Sequence, residues 1–297
     1  MKKTIITTAL LTTLYFTSLN ANISNNNIYT NNEVLVGFYG RPNASSLGIL
    51  GENNINNLVL KMRNKQNYYK EELGNDINIK MAFHIIHSLA TKDEGRRKDF
   101  LLNMSEKTVL KYIKRANDEN FAVILDVQLG VKTPEQAIKP ILKYLKYKNV
   151  HLAIDPEFKV PANRKYPPGK FIGSIKAKEL NKAQELMSEY MEENNINEKR
   201  KLIVHMFHKK MLKKKEDVKN FENIQLLYNI DGHGNSGVKT KIYNSLYANA
   251  QTHKAIGGFK IFYKNDHKPL MTPKQILGWE NVGSQKILVQ PYYINYH

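Results

Sequence analysis

Asp155 and Glu157 stand two residues apart at the end of a short apolar run, His151-Leu-Ala-Ile-Asp-Pro-Glu157. Alternate side chains of a strand share a face, so His151, Ala153, Asp155 and Glu157 are expected on one side and Leu152 and Ile154 on the other. Two carboxyl groups held close together in a poorly hydrated site raise one another's pKa. Such a pair makes a general acid: one carboxyl, expected to be Glu157, keeps its proton near neutral pH while Asp155 beside it is ionised. Asp126 and Gln128 repeat the spacing in Ile124-Leu-Asp-Val-Gln128, and Asp231 follows Asn229-Ile230 at the end of another run. Glu157, Asp155, Asp126 and Asp231 are therefore the candidate catalytic residues.

Histidines offer a second chemistry. His84, His87, His205, His208 and His233 fall at or just beyond the ends of strand-like runs. Imidazoles facing carboxylates can hold a divalent ion, as in metal-dependent hydrolases. Against this, no His-x-His pair occurs on the first strand, and residues three apart, as in His84/His87 and His205/His208, cannot both face inward from a regular strand. No metal ligand and no cofactor is assigned. The histidines join a candidate substrate-binding set of Tyr39, Arg41, His84, Gln128, His205, His233, Tyr263, Gln290 and Tyr292. Aromatic faces in that set suit the apolar C–H faces of sugars. Phe207 and Tyr293 belong to the same rim, whereas Trp279 is expected to anchor the last helix in the core.

These residues need a scaffold that gathers strand ends. Runs at 34–39, 79–86, 121–127, 151–155, 201–207, 225–230, 258–263 and 286–290 read as strands. Amphipathic helices are expected over 54–73, 105–117, 134–147 and 177–194, a basic one over 208–219, and shorter ones over 241–252 and 273–277. Ser105 before Glu106 and the Thr133-Pro134-Glu135 sequence are helix starts. Alternation of this kind is that of an α/β protein with a single (β/α)₈ TIM barrel, whose binding face is built at the strands' C-terminal ends. An open doubly wound sheet would carry a glycine-rich first turn. Here the first strand ends Gly37-Phe-Tyr-Gly-Arg-Pro42, which is not that pattern.

Lys2-Lys3, the apolar and hydroxylic stretch to Leu19, and the small Ala21 form a signal-peptide pattern. The expected organisation is a signal peptide over 1–21, an Asn-rich leader over 22–32 and the barrel over 33–297, with the product secreted or periplasmic. Cysteine is absent, which excludes disulfides and thiolate chemistry. Lysine and arginine number 45 against 27 aspartates and glutamates, a net charge of +18. Runs such as Lys213-Lys214-Lys215 read as a solvated face, and no nucleic-acid-binding signature accompanies them. Loose association with anionic surfaces is expected, without a specific nucleic acid and without a transmembrane segment in the mature protein.

The Leu-Ala-Ile-Asp155-Pro-Glu157 segment on a fourth barrel strand resembles that of chitinase-type and lysozyme-type glycoside hydrolases. The stretch is also similar to secreted barrel proteins of unassigned activity. The resemblance implies that Glu157 donates the proton, that Asp155 supports it, and that Asp126 is a further supporting acid. Asp231 resembles the strand-six acid of the lysozyme type in placement. The expected function is hydrolysis of an envelope or extracellular glycan by general acid catalysis, with the glycan or another envelope polymer as partner. The alternatives are a noncatalytic glycan-binding barrel, a metal-dependent hydrolase using rim His and Asp residues, and a structural envelope protein.

Overall fold

The computed structural model describes residues 33–161, 166–250 and 254–297; the expected signal peptide and leader lie outside them. Eight parallel strands close into a barrel: β1 (Glu33–Gly40), β2 (Asn78–Ala90), β3 (Ala122–Gly130), β4 (Val150–Lys159), β5 (Arg200–Met206), β6 (Ile224–Ile230), β7 (Ile256–Ile261) and β8 (Tyr293–Tyr296). Each strand pairs with the next in sequence, and β1 pairs with both β2 and β8 to complete the ring. The TIM-barrel fold read from the alternation is the fold observed. Among the described residues no helix is long and apolar enough to cross a membrane.

Strand parity explains the core. Val34, Val36 and Phe38 of β1, Ile79, Met81, Phe83 and Ile85 of β2, and Leu152 and Ile154 of β4 face outward into the layer beneath the helices. The α1 helix (Ile55–Leu73) contributes Leu58, Met62 and Tyr69 to that layer, and α2 (Glu106–Asp118) contributes Val109 and Ile113. Both helices start where their caps dictate. The Asn54 side chain accepts from the Asn56 and Asn57 N–H groups, and the Ser105 side chain accepts from that of Thr108. Each cap contributes about 1 kcal/mol by satisfying N–H groups that the helix leaves unpaired.

Four elements differ from the sequence reading. The last strand is Tyr293–Tyr296, not 286–290. The backbone of 286–290 is engaged elsewhere: Asn244 bonds the Lys286 carbonyl and the Leu288 N–H, and Tyr243 bonds the Val289 carbonyl. The expected basic helix over 208–219 is two 3₁₀ turns, Lys209–Met211 and Lys215–Asp217, flanking the two-residue strand Leu212–Lys213. Left-handed Lys214 (φ 54°) breaks the run, and stacked like charges give a helix there no support. The 134–147 helix is α-helical only over Pro134–Ile138 and continues as 3₁₀ over Lys139–Lys146, where Pro140 has no N–H to donate. The helix expected over 241–252 starts earlier, at Ser236–Leu246, because Asn235 caps it. Its expected end at 251–252 lies outside the described residues.

Candidate functional site

The inward parity of the strands brings a polar layer to the C-terminal end of the barrel. β1 supplies Tyr39, β2 His84, β3 Asp126, β4 Asp155, and β5 His205. From β6 come Asn229 and the following Asp231, from β7 Lys260, and from β8 Tyr293 and Asn295. Most are buried, Asp155 included, and only Asp231 is partly exposed. A polar layer this deep is costly unless its groups satisfy one another.

Three of them converge on a point. His84 Nε2 lies 3.4 Å and His205 Nε2 3.3 Å from the same oxygen, Asp126 Oδ2. The ligand-capable atoms of His84, Asp126 and His205 all fall within 4.8 Å of one another. Among the described residues, neither Nε2 atom and neither Asp126 oxygen makes a well-aligned hydrogen bond, although all are buried. A tetrahedral ion with bonds of about 2.0–2.1 Å sets its ligand atoms about 3.3–3.4 Å apart, the separation of both His–Asp edges. The buried cluster is a candidate metal-binding or catalytic centre of the barrel.

The far side of each imidazole is held. His84 Nδ1 meets the Tyr293 hydroxyl at 2.5 Å, and His205 Nδ1 meets Asp231 Oδ2 at 2.6 Å. Partners of this kind fix the ring and tautomer of a metal-ligating histidine. Asp231 is fixed in turn by Asn229 Nδ2 at 2.6 Å and Lys260 Nζ at 3.2 Å. The Lys260 ammonium lies 4.1 Å from the centre of the Tyr39 ring, which also packs edge-on against His84 and His205. Glycine at position 37 makes the Tyr293 contact possible, since a Cβ there would stand 2.5 Å from the tyrosine hydroxyl. On the Ser236–Leu246 helix that follows Asp231, Lys239 pairs with Asp266 at 3.0 Å and bonds the Gly232 and Lys260 carbonyls.

Electrostatics divide the carboxyls. Burial would raise Asp126, but the positive His205 and the adjoining imidazoles hold it far below the ordinary range. Asp231 is likewise lowered against its burial by His205 and Lys260. Asp155 goes the other way, pushed up to about 8 by burial and by the neighbouring Asp126, Glu157 and Asp231 charges. Glu157 is raised by burial and by Asp231. Burial lowers His84 to about 4, so it is neutral at pH 7, as a metal ligand must be. His205 is raised to about 10, against its burial, by Asp231 and Asp126. An arriving cation must therefore displace that proton.

Register sets the heights of the acids. Asp126 is in register with Ala153, whereas Asp155 is in register with Gln128, two residues further toward the C-terminal end of the strands. Asp155 Oδ1 accepts the Glu157 N–H at 3.0 Å, and Glu157 lies beyond it, partly exposed. Of the expected binding residues, His84, His205 and Tyr39 join the centre. Gln128 is buried and accepts the Ala90 N–H at 2.7 Å, and Arg41 ties the β1 end to the Ile86 and His87 carbonyls. His233 is exposed against Phe262. Tyr263 stacks on Tyr296 and lines a separate cavity of about 200 Å³ with Gly48, Glu52 and His297.

Gln290 and Tyr292 do not reach the mouth. They precede β8 and so lie at the opposite end of the barrel, where the Tyr292 N–H bonds the Gly257 carbonyl. Trp279 is not a core anchor: it is 42% exposed, and its Nε1 donates to Gln290 Oε1 at 3.1 Å. Parity separates the histidine pairs as expected. His87 turns to the Ser88 hydroxyl, and His208 caps the turn at Lys210, leaving His84 and His205 inside. Lys260 and Asn295 were missed by sequence reasoning, and their signal is a polar residue at an inward position of a short strand. Compared with known protein families and with curated proteins, the chain matches none.

Proposed function

We propose that the protein is a metal-dependent hydrolase of an ester, amide or phosphate bond, with His84, Asp126 and His205 as ligands of a divalent ion. One observation carries this reading: buried imidazole nitrogens without a well-aligned hydrogen bond among the described residues stand at tetrahedral edge distances from a shared carboxylate oxygen. A bound ion would supply Lewis acidity at the mouth. Tyr293 and Asp231 orient the two imidazoles, and Lys260 and Asn229 hold Asp231 still. Asp155, two residues nearer the C-terminal end than the Asp126 register position and protonated near neutral pH, would give a proton to a leaving atom. Glu157, at the partly exposed edge, meets the substrate first. The N-terminal sequence supports export as the setting of this activity.

The test is a panel of chromogenic esters, amides and phosphoesters assayed before and after dialysis against a chelator. We expect a hydrolysis that chelation abolishes and one equivalent of zinc restores. Full activity after metal removal would contradict the proposal.

A second reading, metal-free hydrolysis of a glycan, is favoured by the raised carboxyls of Asp155 and Glu157. Either could protonate a glycosidic oxygen, with Glu157 as donor and Asp155 as its support. Chelator-resistant release of reducing ends that Glu157→Gln abolishes is the outcome that reading requires.

A further inference from the structure

Outside the mouth, several lysines line a groove of about 830 Å³ on the outer side of the β4 end. Its wall includes Lys176, Lys178, Lys182 and Lys213. Lys176 and Lys213 are direct neighbours in the small parallel pairing of Ile175–Lys176 with Leu212–Lys213. Like charges set side by side across strands oppose that pairing. Lys178 and Lys182 are four residues apart on α4 (Ala177–Glu193), stacked on one face. All four are exposed, and none has an acidic partner at ion-pair distance among the described residues. Lys159, also in the groove, is engaged with the Val131 and Lys132 carbonyls.

Stability does not explain four unpaired ammonium groups around one concavity. The rest of the lining narrows the occupant. Phe171 and Ile172 form an apolar ledge, 54% and 50% exposed, and Tyr166 braces Phe171 edge-on at 4.8 Å. The carboxylates of Glu135 and Glu179 also line the groove. They accept hydrogen bonds from hydroxyl groups, which sugar rings offer and a bare polyphosphate chain does not. The volume suits a few linked rings.

We infer that this groove binds an acidic, carboxylate-bearing polysaccharide: the lysines take its carboxylates and the Phe171–Ile172 ledge takes the apolar faces of its sugars. The groove adjoins the mouth, where the Gly173 N–H bonds the Glu157 carbonyl at 2.7 Å, but its binding is independent of the hydrolase proposed above.

Fluorescence anisotropy with labelled polygalacturonate oligomers tests it. K178E/K182E should weaken binding about tenfold and flatten its salt dependence. K107E/K111E, the same charge change at exposed positions of α2, should weaken it less than about twofold. Equal weakening by the two variants, no weakening by K178E/K182E, or groove-dependent binding of duplex DNA or inorganic polyphosphate as tight as that of polygalacturonate would overturn the inference. His84→Ala should bind the oligomers as the unmodified protein does, so loss of the metal centre and failure of the groove are read separately.

Discussion

His84→Ala should remove the divalent ion and the hydrolytic activity together. With the imidazole gone, only Asp126 and His205 remain of the three converging ligands, and two ligands hold zinc poorly against water. We expect zinc content to fall from about one equivalent to below about one tenth after dialysis. Losing the charge stabilisation of a bound ion costs several kcal/mol of barrier, so kcat/KM should drop by about a thousandfold or more. The fold should survive, because the truncation leaves a small cavity beside Tyr293 and costs about 1–3 kcal/mol. His87→Ala is the control. That ring is also buried, but it is turned to Ser88 and is no part of the convergence. It should leave metal content and turnover near those of the unmodified protein. Elemental analysis beside steady-state kinetics on the same preparations separates the two variants.

Asp231→Asn should weaken both metal binding and stability, for two distinguishable reasons. Asp231 accepts from His205 Nδ1, from Lys260 Nζ and from Asn229 Nδ2. An asparagine offers one acceptor oxygen in place of two, and its amide would face a donor. His205 loses its orienting charge, and loss of such a partner typically lowers metal affinity 10–100-fold. Lys260, more buried than Asp231, loses the one carboxylate it pairs with among the described residues. Breaking a buried ion pair from one side costs about 3 kcal/mol, which lowers the melting midpoint by roughly 6–10 °C in a domain of this size. Adding Lys260→Met should return most of the thermal stability and none of the metal affinity. If the double variant recovers both or neither, the two roles assigned to Asp231 are not separable and the assignment is wrong.

Most of the scaffold is legible in the chain because a strand's two faces are written in alternate residues. Val34, Val36 and Phe38 against Leu35, Gly37 and Tyr39 give β1, and Leu152 and Ile154 against Ala153 and Asp155 give β4. The last strand escapes this reading. Tyr293-Ile-Asn-Tyr296 is short and tyrosine-rich, while Lys286-Ile-Leu-Val-Gln290 looks more strand-like until the Asn244 and Tyr243 contacts claim its backbone. That displacement moved Gln290 and Tyr292 to the wrong end and hid Asn295.

The composition of the centre was less legible for a physical reason. Parity says which side chains enter the barrel, but not at what height, and height is set by the stagger between neighbouring strands. The Asp155-Pro-Glu157 segment is the more conspicuous in sequence, yet it is Asp126 that His84, from β2, and His205, from β5, meet across the barrel. No local motif encodes a meeting of residues so far apart in the chain.

X-ray absorption at the zinc edge, on protein loaded with one equivalent of zinc, tests the metal centre most directly. We expect two imidazole nitrogens and a carboxylate oxygen at about 2.0–2.1 Å, and the imidazole scattering largely lost in His205→Ala, whose two remaining ligands hold zinc poorly. A shell without imidazole scattering, or a spectrum unchanged by His205→Ala, would show that His84, Asp126 and His205 do not hold the ion.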